Sequence, residues 1–391
     1  MTLEELAASL GFSSFPPLFA VALAVALVVG LIILVPILLR VIEIANYAYS
    51  NSRIQVMSSR IIPEEKIKEM IEASSLAEVV AALETTGYSP YLREMMEERS
   101  EAIERALNRH TADAYRDVAT MVPLNLKKIL TVLLRKWDVY NIKLILRGVY
   151  AERSPDDIRA DLVPVGELNP SKTGELAEAR SLEEVISNLD GTPYSRLTES
   201  LQLFDQTKNL TVFEAQLDKI LYEDAWGDVT SKPVDENLLS LKNYLATNID
   251  VVNLKFVFRA KKDGLPAGSI ESYLVRGGGL PESLIKGLLE VDSVDNVVAA
   301  LEGTRYYQPV LGAVPEYEST GSVLPIELAL DGHLVRVGKD ISITQPFGIG
   351  PAIGYLSLKE MEIRNVRTLA RGIESGLSPD EIRSLIMKVG S

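Results

Sequence analysis

An all-α fold is predicted for this 391-residue chain by three observations: one uninterrupted apolar stretch near the amino terminus, three motifs that each occur three times, and scarce strand-like alternation. The clearest strand-like stretch is HLVRV, His333 to Val337, so any sheet is expected to be minor. Composition narrows the function. With 40 Lys+Arg against 54 Asp+Glu the net charge is -14, and no basic stripe interleaved with aromatics offsets it, which argues against nucleic acid as a partner. Cysteine is absent, removing disulfides, thiolate metal sites and cysteine nucleophiles, and only His110 and His333 could supply imidazole.

The first element is a membrane span. No charged residue occurs from Gly11 to Leu39, and Leu18 to Leu39 is apolar throughout, about 33 Å of helix at about 1.5 Å per residue. A signal peptide would open with positive charge, whereas Glu4 and Glu5 stand here. Arg40, Arg53 and Arg60 follow the span and no Lys or Arg precedes it, so the bulk of the chain is expected on the cytoplasmic face of the cell membrane, held by a single-pass anchor. The span carries no ionisable group and reads as an anchor in lipid rather than an ion path. Ala22, Ala26 and Gly30 recur every four residues and form a small-residue ridge against which another helix could pack.

The remaining elements are repeats. The first motif is SLAEVVAALETTGY from Ser75, SLEEVISNLDGTPY from Ser181 and SVDNVVAALEGTRY from Ser293, each read as a short helix with the serine as N-cap and a Thr/Gly-rich end. The second is IERALN from Ile103, FEAQLD from Phe213 and IELALD from Ile326, with apolar residues four apart on a buried face and Glu104, Glu214 and Glu327 expected in solvent. The third is WDVYNIKLILRG from Trp137, IDVVNLKFVFRA from Ile249 and MEIRNVRTLARG from Met361. Its signature positions are Asp138, Asn141 and Arg147, then Asp250, Asn253 and Arg259, then Glu362, Asn365 and Arg371. The acid is expected to cap a helix start, and the arginine nine positions on lies about half a turn out of phase, serving a different contact. Capping and helix pairing account for most of these residues, so they are read as mainly structural.

Arg147 to Arg259 and Arg259 to Arg371 are both 112 residues, and Gly166, Gly278 and Gly390 recur at the same interval. This register sets four segments: an extension at residues 1–44, and helical domains at residues 45–166, 167–278 and 279–391. Ser154-Pro155, Leu265-Pro266 and Ser378-Pro379 are ordinary helix starts. No catalytic, cofactor or metal site emerges. SKTG at Ser171 and RGGG at Arg276 lack the spacing of a nucleotide-binding loop, and the position of His110 and His333 holds Ile220 in the middle repeat, which marks it as structural.

With these repeats and YAYSNSRIQVMSSRII (Tyr47 to Ile62, including Arg53 and Met57), the chain resembles the C subunits of archaeal A-type ATP synthases, a family related to the bacterial V-type C subunits and the eukaryotic V-ATPase d subunits. The resemblance covers Tyr47 to Ser391. It implies a pseudo-threefold, funnel-shaped, non-catalytic rotor part, with the membrane c-ring proteolipids on one side and the D and F subunits of the central stalk on the other, and no small-molecule substrate. From the soluble members the chain departs by its extension, Met1 to Ile44. A membrane-anchored helical scaffold for other protein partners is the alternative from another class.

Overall fold

The computed structural model describes residues 5, 17–93, 99–233, 235–271 and 273–389. Gly390 lies outside the described residues. Among those described there is no strand, and seven helices of 20 residues or more dominate: α1 (Pro17–Ser58), α2 (Ser100–Met121), α3 (Leu124–Tyr150), α4 (Thr211–Thr230), α5 (Glu236–Lys262), α6 (Leu324–Thr344) and α7 (Gly350–Glu374). Packing divides the chain into two compact units, residues 1–49 and 50–391.

The first unit is dominated by α1. Val21–Leu39 has a mean hydropathy of 3.2 with none of it buried, long and apolar enough by composition to cross a membrane. Ala22, Ala26, Gly30 and Leu39 are all exposed, and no atom within 4 Å approaches the space beside Gly30. Leu18 belongs to the same helix, its side chain outside those described.

In the second unit the long helices come as consecutive pairs, α2/α3, α4/α5 and α6/α7. The second motif lies in the first member of each pair, and the third motif lies inside the second member. Asp138, Asp250 and Glu362 therefore stand more than three turns in from Leu124, Glu236 and Gly350, and cap none of these helices. The helices start earlier because apolar residues on their amino-terminal halves, such as Leu126, Leu241 and Ile353, are buried. His333–Val337, the strand-like stretch, is likewise helical within α6. Leu328, Gly332, Val335, Gly338 and Ile341 are buried three or four residues apart there, so the short alternation yields to the longer period. At Gly338 a methyl group would run into Ser357, a close α6–α7 approach that only glycine permits.

Short helices fill the intervals. Leu76–Leu83, Leu182–Ser187 and Val294–Ala300 begin at Ser75, Ser181 and Ser293, whose hydroxyls accept from the N–H of Glu78, Glu184 and Asn296. Each of these helices ends where Thr86, Thr192 or Thr304 donates back to a leucine carbonyl at 2.6, 2.6 or 2.7 Å. Ser154 and Ser378 cap Pro155–Ala160 and Pro379–Leu385, the latter with a full capping box to Glu381.

Among the described residues three large hydrophobic cores result, and each joins the carboxyl-terminal half of one long helix to the short helices beyond it. One runs from Val139 to Leu221 and a second from Val251 to Leu330. The third packs Ile363 to Ile386 against Ile62 to Leu107, from the opposite end of the second unit. Val79, Val185 and Val297 sit at matching places in the three cores with no exposed surface, each contributing roughly 1.5–3 kcal/mol of burial.

Candidate functional site

Where the cores meet the long helices, the third motif builds three junctions from the same four contacts. The first contact belongs to the acid. Asp138 accepts from the backbone N–H of Glu167 and Leu168 at 2.8 and 3.1 Å and from the Tyr194 hydroxyl at 3.0 Å. Asp250 repeats this with Gly279, Leu280 and Tyr306 at 2.9, 3.1 and 2.6 Å. Glu362 accepts from the N–H of Ile62 and the hydroxyl of Tyr88, both at 2.5 Å. The acids cap chain segments far along the sequence rather than their own helices. Each such bond to a charged acceptor contributes about 1.5–3 kcal/mol. Gly166 and Gly278 are glycine because a side chain there would strike the Asp138 or Asp250 carboxylate.

The second contact belongs to the asparagine. Asn141, Asn253 and Asn365 each pair both edges of the amide with one backbone residue 22 positions later, namely Val163, Val275 and Met387, at 2.8–2.9 Å. All three asparagines are buried, and the pairing satisfies a peptide that would otherwise be stranded in the core.

The third and fourth contacts reach the second motif. Lys143 donates to Asp218 at 2.6 Å, Lys255 to Asp331 at 2.9 Å and Arg367 to Asn108 at 3.2 Å. Arg147 pairs with Glu214 at 2.6 Å, Arg259 with Glu327 at 2.7 Å and Arg371 with Glu104 at 2.5 Å. The motif-two glutamates expected in solvent are thus ion-paired, their side chains 20%, 23% and 7% exposed at 104, 214 and 327, while the arginines remain about 60% exposed. The matching choice of Asp218, Asp331 and Asn108 opposite Lys143, Lys255 and Arg367 is a sequence signal that motif spacing alone does not draw out.

At the third junction the acid, Arg367 and Arg371 join α7 to residues 62–108, while Asn365 stays with Met387, so three of the four sets of bonds close on themselves: first repeat to second, second to third, third to first. Burial shapes their electrostatics. It pushes the Asp138 carboxyl up to about 6 despite the N–H groups of Glu167 and Leu168 that favour its charge, and it raises Asp250 in the same direction. Burial, followed by the neighbouring carboxylates, also raises the phenols of Tyr88, Tyr194 and Tyr306.

Family membership is decided by the span of chain that carries these junctions. The pattern of the ATP synthase (C/AC39) subunit family matches residues 50–385. This chain belongs to that family. It is 37% identical over 353 residues to the C subunit of the A-type ATP synthase of Methanocaldococcus jannaschii, covering 89% of this chain and 88% of the relative. To the corresponding subunit of Methanothermobacter thermautotrophicus it is 33% identical over 95% of both chains, and to that of Methanosphaera stadtmanae 32% identical over 99% of both. The last alignment takes in the amino-terminal segment, so an extension of this length is not peculiar to this sequence. As an ATP synthase subunit, the chain has the other subunits of that enzyme complex as partners. His110 and His333, in turn, sit edge-on to Tyr88 and Tyr306, ring centres 4.3 and 5.4 Å apart, and burial lowers them to about 3 and about 4. Neutral imidazoles packed on the signature tyrosines fill the place that Ile220 fills in the middle repeat. Among the described residues no cluster of three metal-ligating side chains occurs.

Proposed function

We propose that this ATP synthase subunit is a non-catalytic part of the central rotor, a funnel-shaped socket that joins the membrane c-ring to the D and F subunits of the central stalk and passes torque between them during ion-driven synthesis. The observation that carries the reading is the threefold recurrence of the same contacts, with the last set binding the end of the chain to its beginning. A closed cycle of buried hydrogen bonds and ion pairs resists twisting better than an open array, because no repeat can rotate without breaking bonds at two junctions. In this reading residues 45–166, 167–278 and 279–391 are pseudo-threefold equivalents, each lending its long helix to the core of the next.

The exposed apolar α1 supports an anchor in the membrane with the helical bulk on the cytoplasmic face. We place it in the lumen of the c-ring, since a helix outside the ring would obstruct rotation. Affinity purification of the tagged chain from native membranes in mild detergent tests the assignment. Recovery with c-ring proteolipid, the D and F subunits and ATP hydrolysis supports it; recovery with unrelated membrane proteins and no hydrolysis overturns it. Crosslinks from position 22 or 26 that reach only outer lipid would remove the lumen placement.

A further inference from the structure

The third repeat also carries a feature outside the junctions. Between the helix Tyr307–Thr320, α6 and Pro379–Leu385 lies an open cavity of about 520 Å³, lined by Arg336, Lys388 and His333 beside apolar Leu328, Ala329 and Ile386. Arg336 and Lys388 have no hydrogen-bonded or ion-paired partner among the described residues, and the buried Nε of Arg336 is unsatisfied. Both ring nitrogens of His333 are buried and unsatisfied as well. Arg383, at the rim, is already taken by Asp380 and Glu72, and Glu316 lines the cavity without pairing to either free cation.

The repeats supply an internal control. The bond from Lys255 to Asp331 matches that from Lys143 to Asp218, which aligns Arg336 with Glu223 in the second repeat and, from Asn108, with Asp113 in the first. The asparagine contacts to Val163, Val275 and Met387 align Lys388 with Arg276 and Pro164. In the second repeat the two positions carry opposite charges, and the Glu223 carboxylate accepts from the backbone N–H of Arg276 at 3.4 Å. In the first, Asp113 is bound by Tyr91 and Arg116 at 2.8 and 2.6 Å. Only the third repeat places cations at both positions, in a chain whose net charge is -14.

We propose that this cavity is a binding site for a phosphate-class oxyanion. Arg336 offers a planar fork, Lys388 a point charge and neutral His333 one N–H; donors of three kinds set around a cavity suit a tetrahedral anion better than one planar carboxylate. The apolar wall accommodates an organic body on the phosphate, so the source is either free phosphate or a phosphate monoester.

Titration of the full chain in detergent with inorganic phosphate, and separately with phenyl phosphate, followed by calorimetry, tests the site. Saturable one-to-one binding is expected, weakened roughly tenfold or more by Arg336→Glu, which installs the second repeat's charge. Lys388→Gln, at an exposed position, should weaken it severalfold without affecting the fold, and Arg116→Gln should leave it unchanged. Tighter binding of the monoester assigns the organic source, and equal binding assigns free phosphate. Absence of saturable binding by both probes, or binding unaffected by both cavity variants, overturns the proposal. The outcome is independent of the rotor reading, which recovery of the complex tests separately.

Discussion

The middle and closing junctions perform the same task with different chemistry. At the middle junction the chain runs on continuously from Asp250 to its partners at Gly279 and Leu280, 29 and 30 residues later, and a short carboxylate beside left-handed Gly278 (φ +98°) suffices. At the closing junction the partners, Ile62 and Tyr88, lie 300 and 274 residues away in sequence, and the acid is Glu362, one methylene longer. It also has a buried counter-ion: Lys359 bonds Glu362 at 2.5 Å and lies 3.0 Å from His110 Nε2, with both charged side chains 4% exposed or less. Arg135 and Thr247 occupy the corresponding positions elsewhere. Covalent continuity lets the Asp250 carboxylate rest on neutral donors, whereas Glu362, whose partners are remote in sequence, adds a buried cation.

That contrast ranks the substitutions. Glu362→Ala leaves Lys359 buried without a counter-ion and should destabilise the second unit by about 3–5 kcal/mol, read by urea unfolding in detergent. If the charge pair and not the packing is responsible, adding Lys359→Met should recover much of the loss. Asp250→Ala strands two N–H groups and a phenol but no buried cation, and should cost about 2–3 kcal/mol. Equal losses at 250 and 362 would break the comparison. Asn253→Ala, which frees both polar groups of Val275, should cost about 2 kcal/mol. Arg147→Ala, which removes an exposed cation, should cost under about 1 kcal/mol.

Acid should move the junctions in opposite directions. Asp138 titrates near 6 in the fold against 3.8 ordinarily, so its contribution is complete below about 3.8 and is lost as pH rises through 6. His110 titrates near 3 against 6.5, so the closing junction's contribution is complete above 6.5 and is lost as pH falls toward 3, when a second cation would form beside Lys359. Amide exchange should therefore show Leu168 gaining protection and Ile62 losing it between about pH 7.5 and about pH 5. His110→Phe should abolish the change at Ile62 alone.

How much of this is legible in the sequence depends on how local each signal is. The serine caps and threonine ends of the first motif can be read directly, because N-caps act within four residues. The motif-three acids suggest helix starts because an apolar-acid-apolar pattern looks the same at an N-terminus and in mid-helix when its partner is remote. Glu104, Glu214 and Glu327 look solvated for the same reason, their arginines being 67 to 267 positions away. Lys359 carries no signal at all, since the repeats do not share it. Threefold spacing discloses what recurs and conceals the one junction that differs.

The claim that the chain carries torque as one closed body can be tested by locking its closing junction. Glu72 and Arg383 bond across it at 2.5 Å, both half-exposed, and the chain has no native cysteine to interfere. With Glu72→Cys and Arg383→Cys bridged by a short thiol crosslinker in the purified ATP synthase, ATP hydrolysis coupled to ion transport should match that of the uncrosslinked enzyme. Loss of coupling on crosslinking, restored by cleaving the bridge, would mean that the junction opens during each turn and would contradict the closed-body account.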